Sequence, residues 1–339
     1  MSERLTNILG YLTLFAILGA IWVLFGEDPS KEQGARNEPT FSNVDQQIND
    51  VEEINILSEK GQVSLARTND GWVVKSRDAY QADDEKVRAF LRGIAKSERR
   101  EPKTSNQSRF DVLGLGTKAK TISLKAAGGA TVLEFAMGKR KANATSGRSL
   151  TYIYQDTDTR SWLVSELAEA QVDSAWWLDH SLFRFDDARV SDVTVNGVWL
   201  TRKFGDQDFK LQGVKANEQA LPNWQLHSPA RAIADFTFTD AKKLGNPLAE
   251  PFAKAVLNTY DGMVVTVDIY QMDEGRWAKI SAAYDDTLRL DQEGLKAAAE
   301  VQAEIASIMA ATREWVFKLS EIDAGTLSSV RADFVSNKQ

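Results

Sequence analysis

Residues 54–74 read INILSEKGQVSLARTNDGWVV. Apolar side chains alternate at Ile54 and Ile56, again at Val63 and Leu65, and resume at Trp72, Val73 and Val74. Between the runs stand Glu59-Lys60-Gly61 and Asn69-Asp70-Gly71. Asp-Gly tolerates the positive φ that a tight hairpin needs, so both triplets read as turns. Alternation with a period of two places one face of each strand in a core and the other in water. The stretch predicts short antiparallel strands joined by tight turns.

Working outward, Val87, Phe90, Leu91 and Ile94 occupy one face of an amphipathic helix beginning near Asp83. Asp83, Asp84 and Glu85 suit its positive N-terminal end. Alternating apolar residues then run through Ile122, Leu124, Leu133, Phe135, Met137, Tyr152, Tyr154, Trp162 and Val164, a second sheet region. The opening theme returns at Val193, Val195, Asn196-Gly197, Val198 and Leu200. A weaker echo passes through Val265, Val267 and Ile269, past Asp273-Glu274-Gly275, to Trp277 and Ile280. These matches predict internal duplication of a hairpin-plus-helix unit. Ser228-Pro229 reads as an N-cap followed by Pro at the first helical position. A long helix is expected from about Gln292 to Arg313, then a strand at 315–317 and a short helix around Leu327 and Val330.

Upstream lies ILGYLTLFAILGAIWVLF, residues 8–25, a run without charge. As a helix it would rise about 27 Å, close to the hydrocarbon thickness of a bilayer. Its Leu, Ile, Val and Phe residues contribute about −5 kcal/mol on insertion scales. The expectation is a single transmembrane anchor running from Ile8 through Leu12 and Phe15 to Phe25. Tyr11 and Trp22 stand at the headgroup levels, and Ala16 and Ala20 form a small-residue pair able to pack on a partner helix. A cleaved signal peptide is the competing reading, although Leu18-Gly19-Ala20 lies inside the run rather than after it. With Arg4 before the span and Glu27 and Asp28 after it, the positive-inside rule predicts a cytoplasmic N-terminus and an exported C-terminal body, and the absence of cysteine fits a bacterial inner-membrane protein with a periplasmic body. Residues 1–7 would be a cytoplasmic tail and the body would be periplasmic. Residues 26–47 read as a flexible stalk, 48–168 as a first α/β domain and 169–339 as a second. The expected fold class is α+β: one transmembrane helix, then a periplasmic body of repeated antiparallel hairpin-plus-helix units.

The chain has 339 residues and a net charge of −7, with Lys and Arg scattered along it. Nucleic-acid binding, which needs a concentrated basic footprint, is not expected. Lys139-Arg140-Lys141 reads as a solvated loop. No cysteine occurs, which removes disulfides, thiolate nucleophiles and cysteine-ligated metals. No phosphate-loop, nucleophile-elbow or zinc-protease motif is present. Gly114-Leu115-Gly116 reads as a turn.

Only two histidines occur, His180 and His227, each followed by Ser. They read as surface or capping residues. Acidic pairs stand at Asp83-Asp84, Asp186-Asp187 and Asp285-Asp286. Paired carboxylates suit acid–base work or hard cations, but at element ends they cap turns by default. Trp176-Trp177 is the candidate partner patch, since Trp is enriched at interface hot spots. The alternative is a helix end pinned in the core beside Leu182, Phe183 and Phe185.

Five stretches occur in a telling order: the N-terminal span, residues 54–74, YQADDEKVRAFLRGI at 80–94, DHSLFRFDDARVSDVTVNG at 179–197, and REWVFKLSEIDAGTLSSVRADF at 313–334. Together they resemble a family of bacterial domains of unknown function encoded beside gliding-motility-type ABC transporters. One departure is Asp179-His180, where relatives tend to carry Arg. The resemblance implies a non-enzymatic, membrane-anchored auxiliary subunit whose partners are ABC permease and ATPase subunits, with no cofactor and no metal. The alternatives are an envelope hydrolase and a small-solute binder with a cleft between the two halves.

Overall fold

The computed structural model describes residues 12–20, 36–42, 44–142, 149–245, 248–272 and 275–338. The first strands are β1 (Val51–Ser58), β2 (Gly61–Thr68), β3 (Gly71–Val74), β4 (Tyr80–Gln81), β5 (Arg99–Pro102), β6 (Lys120–Ala126), β7 (Thr131–Ala142), β8 (Ser149–Tyr154) and β9 (Trp162–Val164). They form one sheet in the order β4-β3-β2-β1-β6-β7-β8-β9-β5. A short strand follows, β10 (Ser181–Arg184). Then come β11 (Val190–Val195), β12 (Val198–Thr201), β13 (Lys210–Leu211), β14 (Glu218–Ala220), β15 (Asp235–Thr237) and β16 (Asp240–Lys243). The chain continues through β17 (Ala253–Thr259), β18 (Met263–Met272), β19 (Gly275–Tyr284), β20 (Trp315–Lys318) and β21 (Val335–Asn337). The second large sheet has the order β13-β12-β11-β17-β18-β19-β20-β16. Strands β10 and β15 pair with each other, as do β14 and β21.

Apart from β4, the two large sheets share one strand order. Reading β11 for β1, β12 for β2, β13 for β3 and β16 to β20 for β5 to β9 converts the first order into the second. The β18–β19 hairpin, which in sequence looks like a further echo, lies inside the second sheet. Asp273 and Glu274 of its turn fall outside the described residues.

Five helices matter below: α1 (Asp84–Ala95), α2 (Asn223–Leu226), α3 (Ser228–Ala234), α4 (Ala298–Thr312) and α5 (Glu321–Leu327). Asp83 caps α1, its Oδ1 accepting from the backbone N–H of Glu85 at 3.0 Å and of Lys86 at 3.1 Å. The α1 residues Val87, Phe90 and Ile94 are buried, each side chain contributing roughly 1.5–3 kcal/mol. Helix α4 starts at Ala298, later than the apolar pattern implies, because Gly294 before it takes φ +90° and breaks the turn.

The chain divides into two compact units. One comprises the described residues up to Val51, with Asn55–Lys60 and Arg88–Ala170. The other comprises Glu52–Ile54, Gly61–Val87 and the described residues from Gln171 onward. In the first unit, Ile122, Leu124, Leu133, Phe135 and Met137 form the core, with the Phe41 ring 4.7 Å from that of Phe135. Its edge strand β5 is lined by the chain around Pro39. Asn37 N–H donates to the Arg99 carbonyl at 2.8 Å, Arg99 N–H to that of Glu38 at 3.0 Å, and Thr40 N–H to that of Ser97 at 2.8 Å. In the second unit, Val193, Leu200, Leu257, Val265, Val267 and Ile280 line the inner face of the sheet. Helix α4 packs on that sheet, chiefly along β19, through Val301 and Ile308.

Two expectations are corrected. Sheet dominates the fold, which is not a series of hairpin-plus-helix units. Successive hairpins continue directly into the long meanders β6–β8 and β17–β19, where alternation already buries one face without a helix between strands. Second, among the described residues no helix is long and apolar enough to cross a membrane. The helical stretch there covers residues 12–20, including Leu12, Phe15, Ala16 and Ala20. Ile8, Tyr11, Trp22 and Phe25 lie outside the described residues. The single-pass inner-membrane placement with a periplasmic body rested on that span and is not supported.

Candidate functional site

The site is assembled from two segments forty residues apart. After β10, Asp186 caps a single 3-10 turn, its Oδ1 accepting from Ala188 N–H at 2.9 Å. An aspartate at such a cap satisfies a backbone donor, and the turn then presents the next side chain, Asp187. Opposite, Pro222 opens α2 and Pro229 stands in the first turn of α3. His227 occupies the joint between these helices, and Phe185 N–H donates to the Ala234 carbonyl at 3.0 Å, tying the segments together.

His227 Nε2 lies 2.8 Å from Asp187 Oδ1. A carboxylate only accepts, so Nε2 carries the proton. Arg202 Nη1 donates to the other oxygen, Oδ2, at 3.0 Å. Arg202 is itself fixed: Nε donates to the Val190 carbonyl at 2.8 Å, Nη2 donates to the Asp187 carbonyl, and the guanidinium lies 4.7 Å from the Phe209 ring centroid. The Phe209 ring also flanks His227 at 5.1 Å. Burial works against ionisation of Asp187, but the His227 hydrogen bond and the Arg202 charge outweigh it and hold the carboxyl below its ordinary range. The cleft beside this cluster has a volume of about 630 Å³. Its walls include Phe185, Asp186, His227, Arg231 and Ala234.

Residues 72–261 match a family described as a domain of unknown function, DUF4340. The chain belongs to that family. The matched segment covers more than half of the chain and contains every residue of the cleft. No curated relative and no solved structure matches the chain.

Within the DUF4340 segment, the other residues singled out by sequence serve different ends. His180 Nδ1 donates to the Phe238 carbonyl, 2.8 Å away. Burial and the Lys86 charge push its pKa down. Trp177 is buried and its Nε1 donates to the Gln171 carbonyl at 3.0 Å. Trp176 is 38% exposed, with the Lys86 ammonium 5.1 Å from its ring. The adjacent pair is thus split, one ring in the core and one at the surface. Lys139, Arg140 and Lys141 lie on β7 rather than in a loop, and Lys139 Nζ donates to the Val112 carbonyl at 2.9 Å. Gly114 ends a short helix with φ +72°. Beyond the DUF4340 segment, Asp285 Oδ1 accepts from Thr287 N–H at 2.9 Å, so the third acidic pair also caps a turn.

Among the described residues no three His, Asp or Glu side chains are placed to hold a metal ion. His227 and the pair Asp186-Asp187 stand out in the sequence separately, and only the fold brings them together. Arg202 and Arg231 carry no motif. The one local signal is the spacing of Arg231, four residues after His227 and on the same face of the turn.

Proposed function

We propose that the chain is a non-catalytic auxiliary subunit of an ABC-type transport system, acting through protein–protein contacts with permease and ATPase subunits. The transporter association comes from the family resemblance of the stretches at 54–74, 80–94, 179–197 and 313–334. The observation that carries the interface reading is a pair of large apolar side chains turned to water on neighbouring helices. Trp224 on α2 is 69% exposed and Ile322 on α5 is 81% exposed. Helix α3 packs against both α2 and α5, and a groove lined by Gln225, Ser228, Ile322 and Thr326 runs between them. An exposed Trp is the side chain most typical of an interface hot spot, and exposed apolar residues near a groove mark interaction surfaces.

The hydrolase alternative drew on converging carboxylate pairs. Asp83, Asp186 and Asp285 each accept a backbone N–H at an element end, which favours capping over acid–base work. Affinity purification of the full chain with mass spectrometry of the captured proteins tests the proposal. Recovery of ABC permease and ATPase subunits is expected, with loss in the double variant Trp224→Asp, Ile322→Asp. Absence of such subunits from the unaltered chain overturns it.

A further inference from the structure

The β6–β7 hairpin outruns its neighbour in the first sheet. Strand β7 pairs with β6 over residues 131–137, whereas β8, on its other side, joins only at Ala136, opposite Tyr154. After Tyr154 the chain turns back: Asp158 N–H donates to the Gln155 carbonyl at 2.8 Å, and Trp162 of β9 already faces Ile153. Residues 131–135 therefore have a strand on their β6 side and none on the other. Successive residues of a strand direct their N–H and C=O groups to alternate sides, so this stretch presents open donors and acceptors. The hairpin tip is unobstructed, since a Cβ at Gly128 or Gly129 would meet nothing within 4 Å. A notch of about 410 Å³ lies beside the open edge, lined by residues 131–136 of β7 and 154–157 after β8. The edge is firmly held, because Leu133 and Phe135 are buried on the core face while Glu134 stands exposed on the other. Two carboxylates, Glu134 and Asp156, line the notch, and no basic side chain does. Among the described residues neither carboxylate forms an ion pair.

We propose that this notch is a strand-acceptor site, taking an extended, lysine- or arginine-bearing segment of a partner protein that adds to β7 in line with β8. Alternating donors and acceptors along a strand edge are matched by another extended backbone lying about 4.8 Å away. Running antiparallel to β7, as β8 does, the segment begins beside Tyr154 and ends toward the Gly128-Gly129 turn. Its residues opposite Leu133 and Phe135 share the core face and are apolar. The residue between them, opposite Glu134, lies on the outer face and is basic. An acidic strand would instead meet Glu134 and Asp156 with like charge. The site belongs to a different compact unit from Trp224 and Ile322, and the inference draws nothing from the transporter association.

Fluorescence anisotropy with the full chain tests the site, using a fluorescein-labelled Thr-Val-Lys-Val-Thr peptide as the probe. A Thr-Val-Glu-Val-Thr peptide tests charge. Two further copies of the lysine peptide, N-methylated at alternate residues in the two possible phases, test backbone pairing. The lysine peptide should bind saturably, and about three- to tenfold more tightly than the glutamate peptide. One methylation phase should abolish binding and the other should leave it, because only one set of N–H groups faces β7. In the Glu134→Lys variant, altered at an exposed position, the order of the two charged peptides should reverse. Absence of saturable binding, equal tolerance of both methylation phases, or an unchanged order in Glu134→Lys would each overturn the proposal. Light scattering that shows a dimer of the unaltered chain, dissociated by the lysine peptide, would also overturn it by assigning the notch to a second copy.

Discussion

Arg189 and Asp261 form an ion pair sealed from water: Nε donates to Oδ2 at 2.7 Å, and Asp261 has no exposed surface. The Asp261 Oδ1 accepts from the Thr259 hydroxyl at 2.6 Å, and the other side of Arg189 faces Glu304. Such a pair is costly to bury but far costlier to halve, because the survivor is left charged in a dry site. Asp261→Ala should destabilise the fold by about 3–5 kcal/mol. The double variant Arg189→Met, Asp261→Leu should recover most of that, since Glu304 keeps Lys296 at 3.2 Å. Urea unfolding of the unaltered chain and the two variants checks the prediction. A double variant no better than the single would show that the pair contributes more than mutual neutralisation.

Trp176 and Trp177 should respond to truncation very differently. Trp177→Ala empties a buried site and loses a hydrogen bond, at about 3–5 kcal/mol. Trp176→Ala removes a partly exposed ring under one ammonium, at about 1 kcal/mol or less. Thermal melts of both variants separate the roles.

Gly93→Ala should destabilise, although helix propensity alone predicts a gain of about 1 kcal/mol for alanine in α1. A Cβ at Gly93 would stand 2.8 Å from the Glu166 carbonyl oxygen, which is backbone and cannot swing aside. Overpacking of this kind costs roughly 1–3 kcal/mol, so the net sign reverses. A rise in melting temperature would show that the helix and the 166–168 segment part easily.

The Arg331 guanidinium, with Nη2 2.6 Å from Oε2, holds the Glu218 carboxyl down to about 2 from an ordinary value of 4.5. A carboxyl with a lowered folded pKa stabilises the fold above its ordinary value. That contribution is lost as pH falls from about 4.5 toward 2. The Arg331→Gln variant should show a shallower loss of stability across that window than the unaltered chain. Urea midpoints measured from pH 5 to pH 2 test it, and identical acid limbs would count against the tie.

Local chemistry made the hairpins and α1 readable. Asn196-Gly197 takes positive φ at both residues, as its turn requires, and Asp83 caps where its spacing to the apolar face places it. Boundaries drifted where the cue was side-chain type without geometry. Ser228 is the first residue of α3 rather than its cap, and its hydroxyl donates to the Gln225 carbonyl instead. The run at 8–25 signalled a span by hydropathy, but among the described residues no helix is long and apolar enough to cross a membrane. The cleft was opaque for a different reason. Asp187 and His227 meet where Phe185, the residue after β10, is tied to Ala234 of α3, a tertiary relation with no periodic trace.

The segment around Pro39 gives strand β5 a covered outer edge. A bare edge offers unpaired N–H and C=O groups to any extended chain that drifts past, the first step in intermolecular sheet growth. A version of the protein trimmed to begin at Val44 would therefore lose the Phe41 ring from its first core and also expose a template for self-association. It would be expected to precipitate on concentration, because the uncovered edge meets other copies of itself.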